Sequence, residues 1–203
     1  MAGRPWGSEI QSAEEQFILK RRIVLDLAAR TFSARGYDQT TLADIAADLG
    51  IAKPTIYKYF ENKDEILYEI QRTAIASLKI EELDARRAEA PEEQIAMFLR
   101  RYVRMITTEH GACISTTPMQ ALKPETRSKL SSAAKGVDRC LRAIIENGIE
   151  RGTFTRSDVK MTAAFIFGVL NWIPRWRPTE GPPSIEELEE AVVSHILGSL
   201  VAR

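Results

Sequence analysis

The stretch from Thr41 to Lys63 constrains this chain more than any other, because its residue types specify a short helix that ends in a tight turn. One apolar face has the i, i+3, i+4, i+7 spacing of a helix, and its residues are Leu42, Ile45, Ala46 and Leu49. Thr41 stands at the N-cap position with Asp44 three residues later, a pair typical of a helix start. Gly50 follows the last apolar residue, where a left-handed backbone ends a helix without Cβ strain.

A second short helix is predicted to begin at Pro54, where the missing N–H of proline leaves no helical hydrogen bond unmade. Ile56 and Phe60 lie four residues apart and are expected to pack inward. The polar and aromatic residues left for the other faces are Lys53, Thr55, Tyr57, Lys58 and Tyr59. Two short helices joined by a glycine turn predict a helix-turn-helix.

The residues around this unit resemble the N-terminal signature of the TetR family of bacterial repressors. They are Leu42, Ile45-Ala46, Leu49-Gly50-Ile51, Thr55-Ile56-Tyr57, Tyr59-Phe60, Asn62-Lys63 and Leu67, with Ala28-Ala29-Arg30, Phe32 and Gly36-Tyr37 upstream. The chain departs from the family pattern at Ala52, where a capping Ser is frequent, and at Ala43, where a basic residue is common. The resemblance implies an all-α repressor that binds operator DNA through this unit.

The recognition helix is expected to place its first residues against base edges and its neighbours against phosphates. Lys53 suits a guanine or a phosphate, and Pro54 and Thr55 suit a thymine methyl. The full set of expected DNA-binding residues is Thr41, Lys53, Pro54, Thr55, Tyr57, Lys58, Tyr59 and Lys63. Two alternatives stay open, since Tyr57 could pack with only its hydroxyl exposed and Lys58 could be simply solvated.

Overall charge gives no support to nucleic-acid binding, because 28 basic residues balance 28 acidic ones. Residues 1–63 carry nine Lys and Arg against eight Asp and Glu, so binding depends on where the charges point. Residues 1–12 are interpreted as an N-terminal arm. An alternative role for Arg4, or for residues 20–22, is a contact with a phosphate or the minor groove.

The rest of the chain is predicted to be helical, giving an all-α fold of about nine helices. Helices are expected over residues 12–34, 92–109, 124–150 and 159–173, and from Ser184 to the end. Pro174 is expected to end or kink the fourth of these. We predict a DNA-binding domain at residues 1–63, which includes the arm, and an effector-binding and dimerisation domain at residues 64–203.

The stretch from Gly168 to Leu188 resembles one branch of the family, the regulators of fatty-acid, steroid or aromatic-acid degradation. Asn171-Trp172, Trp176 and the following Pro and Gly residues carry this resemblance. It implies a coenzyme A thioester as effector, which needs an apolar slot and cationic groups for phosphates. The candidate slot residues are Phe98, Tyr102, Met119, Phe165, Trp172 and Trp176, and the candidate phosphate ligands are Arg175 and Arg177. Alternatively, both tryptophans form a dimer interface, and the two roles are compatible.

These observations predict a homodimeric, ligand-responsive repressor that pairs through its last two helices and resides in the cytoplasm. A repressor of an efflux gene that senses lipophilic drugs is the alternative. An enzyme is disfavoured, because neither His110 nor His195 lies in a catalytic motif and no phosphate loop or nucleophile elbow is present. Cys113 and Cys140 lack metal-ligand spacing. No cofactor and no metal is expected, and no apolar run is long enough to span a membrane.

Overall fold

The computed structural model describes residues 13–80, 90–177 and 181–201, and in these ranges the chain is all-α, as predicted. The helices are α1 (Ala13–Arg35), α2 (Leu42–Asp48), α3 (Lys53–Ile56), α4 (Lys63–Ser77), α5 (Pro91–Ile106), α6 (Glu109–Thr116), α7 (Pro124–Glu150), α8 (Val159–Trp176) and α9 (Ile185–Leu200). A 3₁₀ turn, Met119–Ala121, joins α6 to α7. Within the described ranges, the one β-type pairing is an isolated bridge between Phe154 and Val201.

The N-terminal head, which comprises α1 to α3 and the first half of α4, packs around one apolar cluster. Phe32, Ile45, Ile56 and Phe60 are each at most 1% exposed within it. The turn between α2 and α3 contains Gly50 at a φ of +66°, as its position after Leu49 predicted. The helix-turn-helix is therefore confirmed as a backbone unit with its apolar faces turned inward.

Helix α4 connects the head to the helical body formed by α5 to α9. Ile66, Leu67 and Ile70 of α4 belong to the head cluster, whereas Ala74 belongs to the body cluster. The buried carboxylate of Asp64 accepts hydrogen bonds from the backbone N–H of Lys123 at 2.8 Å and from the Thr126 hydroxyl at 2.5 Å. These bonds tie the start of α4 to the start of α7. The predicted boundary at residues 63 and 64 stays a prediction, and α4 contributes to both cores.

The body is a helical bundle whose core lies between α5, α7, α8 and α9. Leu99, Ile144, Ala163 and Leu170 are fully buried there. Arg104 of α5 adds a bidentate contact to the carboxylate of Glu189 on α9, with its Nη2 3.2 Å from Oε2. The start of α9 is the predicted one, because Ser184 and Glu187 form a reciprocal capping box.

Two expectations about helix ends were wrong. Helix α8 does not end at Ile173: Pro174 lies inside its last turn, and the N–H of Arg177 still reaches the carbonyl of Ile173 at 3.0 Å. A proline has a helical φ and lacks only the N–H that would bond to Leu170, so the residues that follow it can continue the helix. The helix predicted to run to Glu109 ends at Ile106, and Thr108 caps a new helix, α6, whose first turn contains His110. In the described ranges, no helix is long and apolar enough to cross a membrane.

Candidate nucleic-acid interface and effector region

The outward face of the α2–α3 unit carries most of the predicted DNA-binding residues. Thr41, Lys53, Pro54, Tyr57 and Lys58 are exposed, and Tyr57 keeps 48% of its surface accessible. Ile56 points the other way and is fully buried. The alternative in which Tyr57 shows only its hydroxyl does not fit this exposure, so the face is available to a large partner.

Four of these residues line one concavity of about 440 Å³ beside α3. They are Thr41, Lys53, Tyr57 and Lys63, and the rest of its wall comes from Thr40, Leu42, Ala43, Asn62 and the acidic Glu61. The concavity is open to solvent and lies where the end of the α1–α2 loop meets the starts of α2, α3 and α4. Hydroxyl and ammonium groups around an open concavity of this kind suit the phosphate backbone of a duplex.

Thr41 fixes the start of α2 through a capping box with Asp44. The N–H of Asp44 donates to the Thr41 hydroxyl at 3.2 Å, and the Thr41 N–H donates to the Asp44 carboxylate at 2.8 Å. The hydroxyl of Thr41 also donates to that carboxylate, and these bonds hold the pKa of Asp44 below its ordinary value of 3.8. The predicted helix start is confirmed. Through this cap Thr41 fixes the first turn of α2, whether or not its own side chain contacts DNA.

We predict that Thr41→Ala raises the pKa of Asp44 toward 3.8, because the largest cause of its lowering is the Thr41 hydroxyl. A lowered carboxyl pKa stabilises the fold above the unfolded value, and this stabilisation is lost as pH falls through the folded pKa. The check is a carboxyl NMR titration, with Ser128→Ala as a control on α7. An Asp44 pKa that does not move would contradict the assignment.

Lys63 has partners that the sequence did not indicate. Its Nζ lies 2.9 Å from the carbonyl oxygen of Tyr37, 3.2 Å from that of Thr40 and 3.4 Å from that of Asp38. The ammonium also lies 4.3 Å from the centre of the Tyr37 ring. Three carbonyl acceptors account for the three N–H donors of a lysine, so here Lys63 closes the α1–α2 loop. The contact between Lys63 and a phosphate stays a prediction. It requires the ammonium to give up one of its three carbonyl hydrogen bonds.

Thr55 and Tyr59 lie on a different side of α3 from Lys53 and Tyr57. Both are only partly exposed and line a small apolar concavity of about 290 Å³ together with residues of α1. The ring of Tyr59 lies 5.2 Å from that of Phe17, centre to centre. The structure therefore divides the predicted set into an outward group and this pair, which packs toward α1.

We predict that Lys53→Ala weakens operator binding about tenfold and flattens its salt dependence by roughly one counterion, because an exposed cation at the start of α3 is removed. Fluorescence anisotropy against a fixed operator at several salt concentrations measures both quantities. Lys135→Ala, an exposed lysine on α7, is the matched control and should change neither. Equal affinities for the variant and the unsubstituted chain would contradict a role for Lys53.

The predicted effector residues are not gathered into one pocket. Phe98 and Tyr102 of α5 are buried, and their rings pack with Phe167 of α8 at centre distances of 6.3 Å and 5.6 Å. The Tyr102 hydroxyl donates to the Asn171 side-chain oxygen at 2.8 Å, and burial raises the pKa of Tyr102 to about 12. These rings fill the space between α5 and α8.

The other predicted effector residues lie apart from that aromatic cluster. Phe165, Trp172 and Trp176 are 70%, 58% and 52% exposed on the outer face of α8, and Arg175 lies over the Trp172 ring at 5.0 Å. Met119 packs against the head cluster. Arg177 lines a groove between the head and the end of α8. The sequence of α8 is apolar on nearly all sides, so helical spacing could not decide which of its faces the chain itself covers.

Within the described ranges, no group of three His, Cys, Asp or Glu side chains is placed to hold a metal ion. Neither Cys113 nor Cys140 forms a disulfide within the described residues, and burial raises the pKa of each thiol. The site is thus a polar helix face on a compact head, joined to a helical body with an exposed aromatic face.

Comparisons with known proteins agree with this architecture. Residues 24–70 match the family model "Bacterial regulatory proteins, tetR family", and residues 88–200 match "Tetracyclin repressor-like, C-terminal domain". The chain is 27% identical over 152 residues to the fatty acid metabolism regulator protein of Bacillus subtilis (strain 168), a match that covers 73% of this chain and 78% of that protein.

Two solved structures are also similar. The TetR family transcriptional regulator PfmR from Thermus thermophilus is 32% identical, with a TM-score of 0.75, and the match covers 88% of this chain and 99% of that one. The ketosteroid transcriptional regulator KstR2 of Mycobacterium tuberculosis is 25% identical, with a TM-score of 0.82, and the match covers 91% of this chain and 96% of that one.

Proposed function

Because the chain belongs to the TetR family of bacterial transcriptional regulators, which bind DNA through a helix-turn-helix and are not enzymes, we propose that it is a homodimeric, ligand-responsive repressor. Two heads bind a near-palindromic operator, and a small hydrophobic effector, an acyl-CoA thioester, releases them. The observation that carries the proposal is the exposed set Lys53, Pro54, Tyr57 and Lys58 on α3 and the turn that follows it, while Ile56 on the opposite side is buried in the head.

The homodimer is proposed through the outer face of α8 together with α9. Five apolar side chains at spacings of three and four residues form a stripe there, and they are Met161, Phe165, Val169, Trp172 and Trp176. Each is more than half exposed in the single chain, which leaves a contiguous apolar surface that a second copy would cover. A Cβ added at Gly168 or Gly198 would meet nothing within 4 Å, so a partner helix has room to approach closely.

The proposed effector class rests on the branch resemblance and on the names of the relatives. One relative is a fatty acid metabolism regulator and another a ketosteroid regulator, so both names point to regulation of lipid metabolism. An acyl-CoA thioester combines an apolar acyl group with phosphates, which apolar and arginine side chains can bind. The amphiphilic lining described below is consistent with that chemistry.

Release of DNA requires the effector to favour one arrangement of head and body over another. The head cluster includes Cys113 of α6 and Leu130 of α7, and both are buried with the head residues. Any ligand that displaces α6 or α7 therefore also shifts the residues of the body against which the head packs. We propose that this contact transmits the effector signal to α3.

The test is fluorescence-anisotropy binding to the intergenic DNA upstream of the gene, at fixed salt, with acetyl-, octanoyl- and palmitoyl-CoA added in turn. We expect nanomolar binding that one thioester abolishes and that its free acid and free CoA leave intact. Tight binding that no thioester changes would contradict the effector class. Release by unrelated lipophilic cations instead would support the alternative, a drug-sensing repressor of an efflux gene.

A further inference from the structure

Two grooves meet at the start of α6, where the head packs on the body. The first, of about 710 Å³, lies between α1, α4 and the first turn of α6. The second, of about 510 Å³, lies between the C-terminal half of α1, the α5–α6 turn, the end of α8 and the start of α9. Arg30, Thr108 and Glu109 line both, so the two grooves are adjacent, and we call them together the junction groove.

Both arms of the junction groove have apolar walls. Phe17, Ile18 and Leu25 of α1 line the first arm, and Phe17 and Ile18 keep 43% and 60% of their surface exposed. Ile106 and Ile173 line the second arm. Each arm falls within the usual size range of small-molecule sites, and their apolar lining suits a hydrocarbon body.

Several arginines of the junction groove have donors that are not fully engaged, and two of them, Arg30 and Arg177, line its second arm. The Arg30 guanidinium lies 3.7 Å from Glu109, too far for a hydrogen bond, and is half exposed. Arg177 donates through Nη2 to the carbonyl of Pro183 at 3.2 Å, while its buried Nε has no acceptor among the residues that the structure describes. A buried N–H of this kind is stabilised by an anionic acceptor.

The other arginines of the junction groove line only its first arm and each lies near a carboxylate, although the buried Nε of Arg21 has no acceptor among the described residues. Arg72 donates from Nη2 and Nε to Oε2 of Glu69, at 2.8 and 3.1 Å. The Nη2 of Arg21 lies 3.1 Å from Oε1 of Glu65. Asp26 lies 3.0 Å from the His110 ring and 3.9 Å from Arg22. Glu109 is the carboxylate that competes with an incoming anion for Arg30, and at 3.7 Å it makes no hydrogen bond that the anion would have to replace.

From these observations we propose that the junction groove binds an elongated amphiphile with a phosphate group. The phosphate binds Arg30 and Arg177, and the apolar part lies along Phe17, Ile18 and Leu25. The inference rests on the proposed function in one respect, since it assigns the phosphates of an acyl-CoA to these two arginines. A ligand in this groove touches α1 of the head and α6 and α8 of the body together, so it sets the angle of the head.

The test is isothermal titration of the full-length chain with octanoyl-CoA, S-octanoyl-pantetheine, which lacks the CoA phosphates, and dodecyl phosphate. The variants are Arg30→Gln, Arg177→Gln and the double variant, with Arg100→Gln on α5 as a control for a surface arginine paired elsewhere. We expect the double variant to weaken octanoyl-CoA and dodecyl phosphate about tenfold or more and to leave octanoyl-pantetheine unchanged. Ile18→Asp should weaken octanoyl-CoA more than acetyl-CoA.

The outcomes separate this inference from the proposed function. If octanoyl-CoA releases DNA and binds equally to all variants, the effector class stands and the junction groove is the wrong site. If dodecyl phosphate binds through both arginines while no thioester binds, the groove stands and the CoA assignment fails. If neither probe binds, or if binding ignores Arg30 and Arg177, the inference is overturned. Thermal unfolding of each variant verifies that the fold is intact.

Discussion

Gly111→Ala should destabilise the chain by about 3 kcal/mol or more, the largest effect of a single methyl group that we expect in this fold. Gly111 lies in the first turn of α6 against the end of α5. A Cβ there would overlap the carbonyl oxygen of Met105 and lie 2.7 Å from the Cα of Ile106. Both are backbone atoms of α5, so the overlap can be removed only if α5 and α6 move apart.

Urea unfolding followed by circular dichroism measures the loss. Gly136→Ala is the matched control, because its Cβ would meet only the end of the Ile80 side chain at 3.2 Å. Alanine also favours a helix interior over glycine by about 1 kcal/mol, so the control should be neutral or slightly stabilising. Equal midpoints for both variants would show that α6 is not seated tightly on α5.

Trp172→Glu should convert the proposed dimer to a monomer and weaken operator binding by about a hundredfold. Trp172 lies near the middle of the exposed α8 stripe and is 58% exposed in the single chain. A carboxylate there would be buried without a partner at a helix-helix contact, and each monomer would then bind a single half-site.

Sedimentation velocity at micromolar concentration and anisotropy on the operator test both parts of this prediction. Leu19→Glu is the control, because Leu19 is a comparably exposed apolar residue on α1, away from α8 and α9. A Trp172→Glu variant that stays dimeric would move the interface off α8. A monomer that binds DNA with unchanged affinity would contradict the need for two heads.

The helix-turn-helix could be predicted because its signals are local. The Thr41–Asp44 cap, the left-handed Gly50 and the apolar spacing of α2 each act within a few residues, and the structure shows all three. The bounds of α7 and the start of α9 were predicted for the same reason, from Pro124 and the Ser184 cap.

The features that the sequence did not reveal depend on contacts between distant residues. Lys63 binds carbonyls that lie 23 to 26 positions earlier, and no spacing indicates such a partner. The apolar faces of α8 have similar composition, so periodicity cannot tell Phe167, which packs inward, from Phe165, which does not. The expected role of Arg4 lies outside the described residues.

The junction groove was missed because its walls come from α1, α4, α6 and α8 together. Arg30 was noted only as part of the family motif. Arg177, which follows the two tryptophans in the sequence, was expected to bind a phosphate of the effector. The structure instead places Arg177 beside α1 and the α5–α6 turn. Only the packing of the head on the body brings the two arginines to the junction groove.

The central claim, that paired heads bind DNA through α3, is tested most directly by hydroxyl-radical footprinting of the purified chain on an operator selected from random duplexes. We predict two protected half-sites on one face of the duplex, related by a dyad and spaced by about one helical turn or a multiple of it. Lys53→Ala should weaken protection at both half-sites equally. A single protected half-site, or a footprint that Lys53→Ala leaves unchanged, would contradict the account.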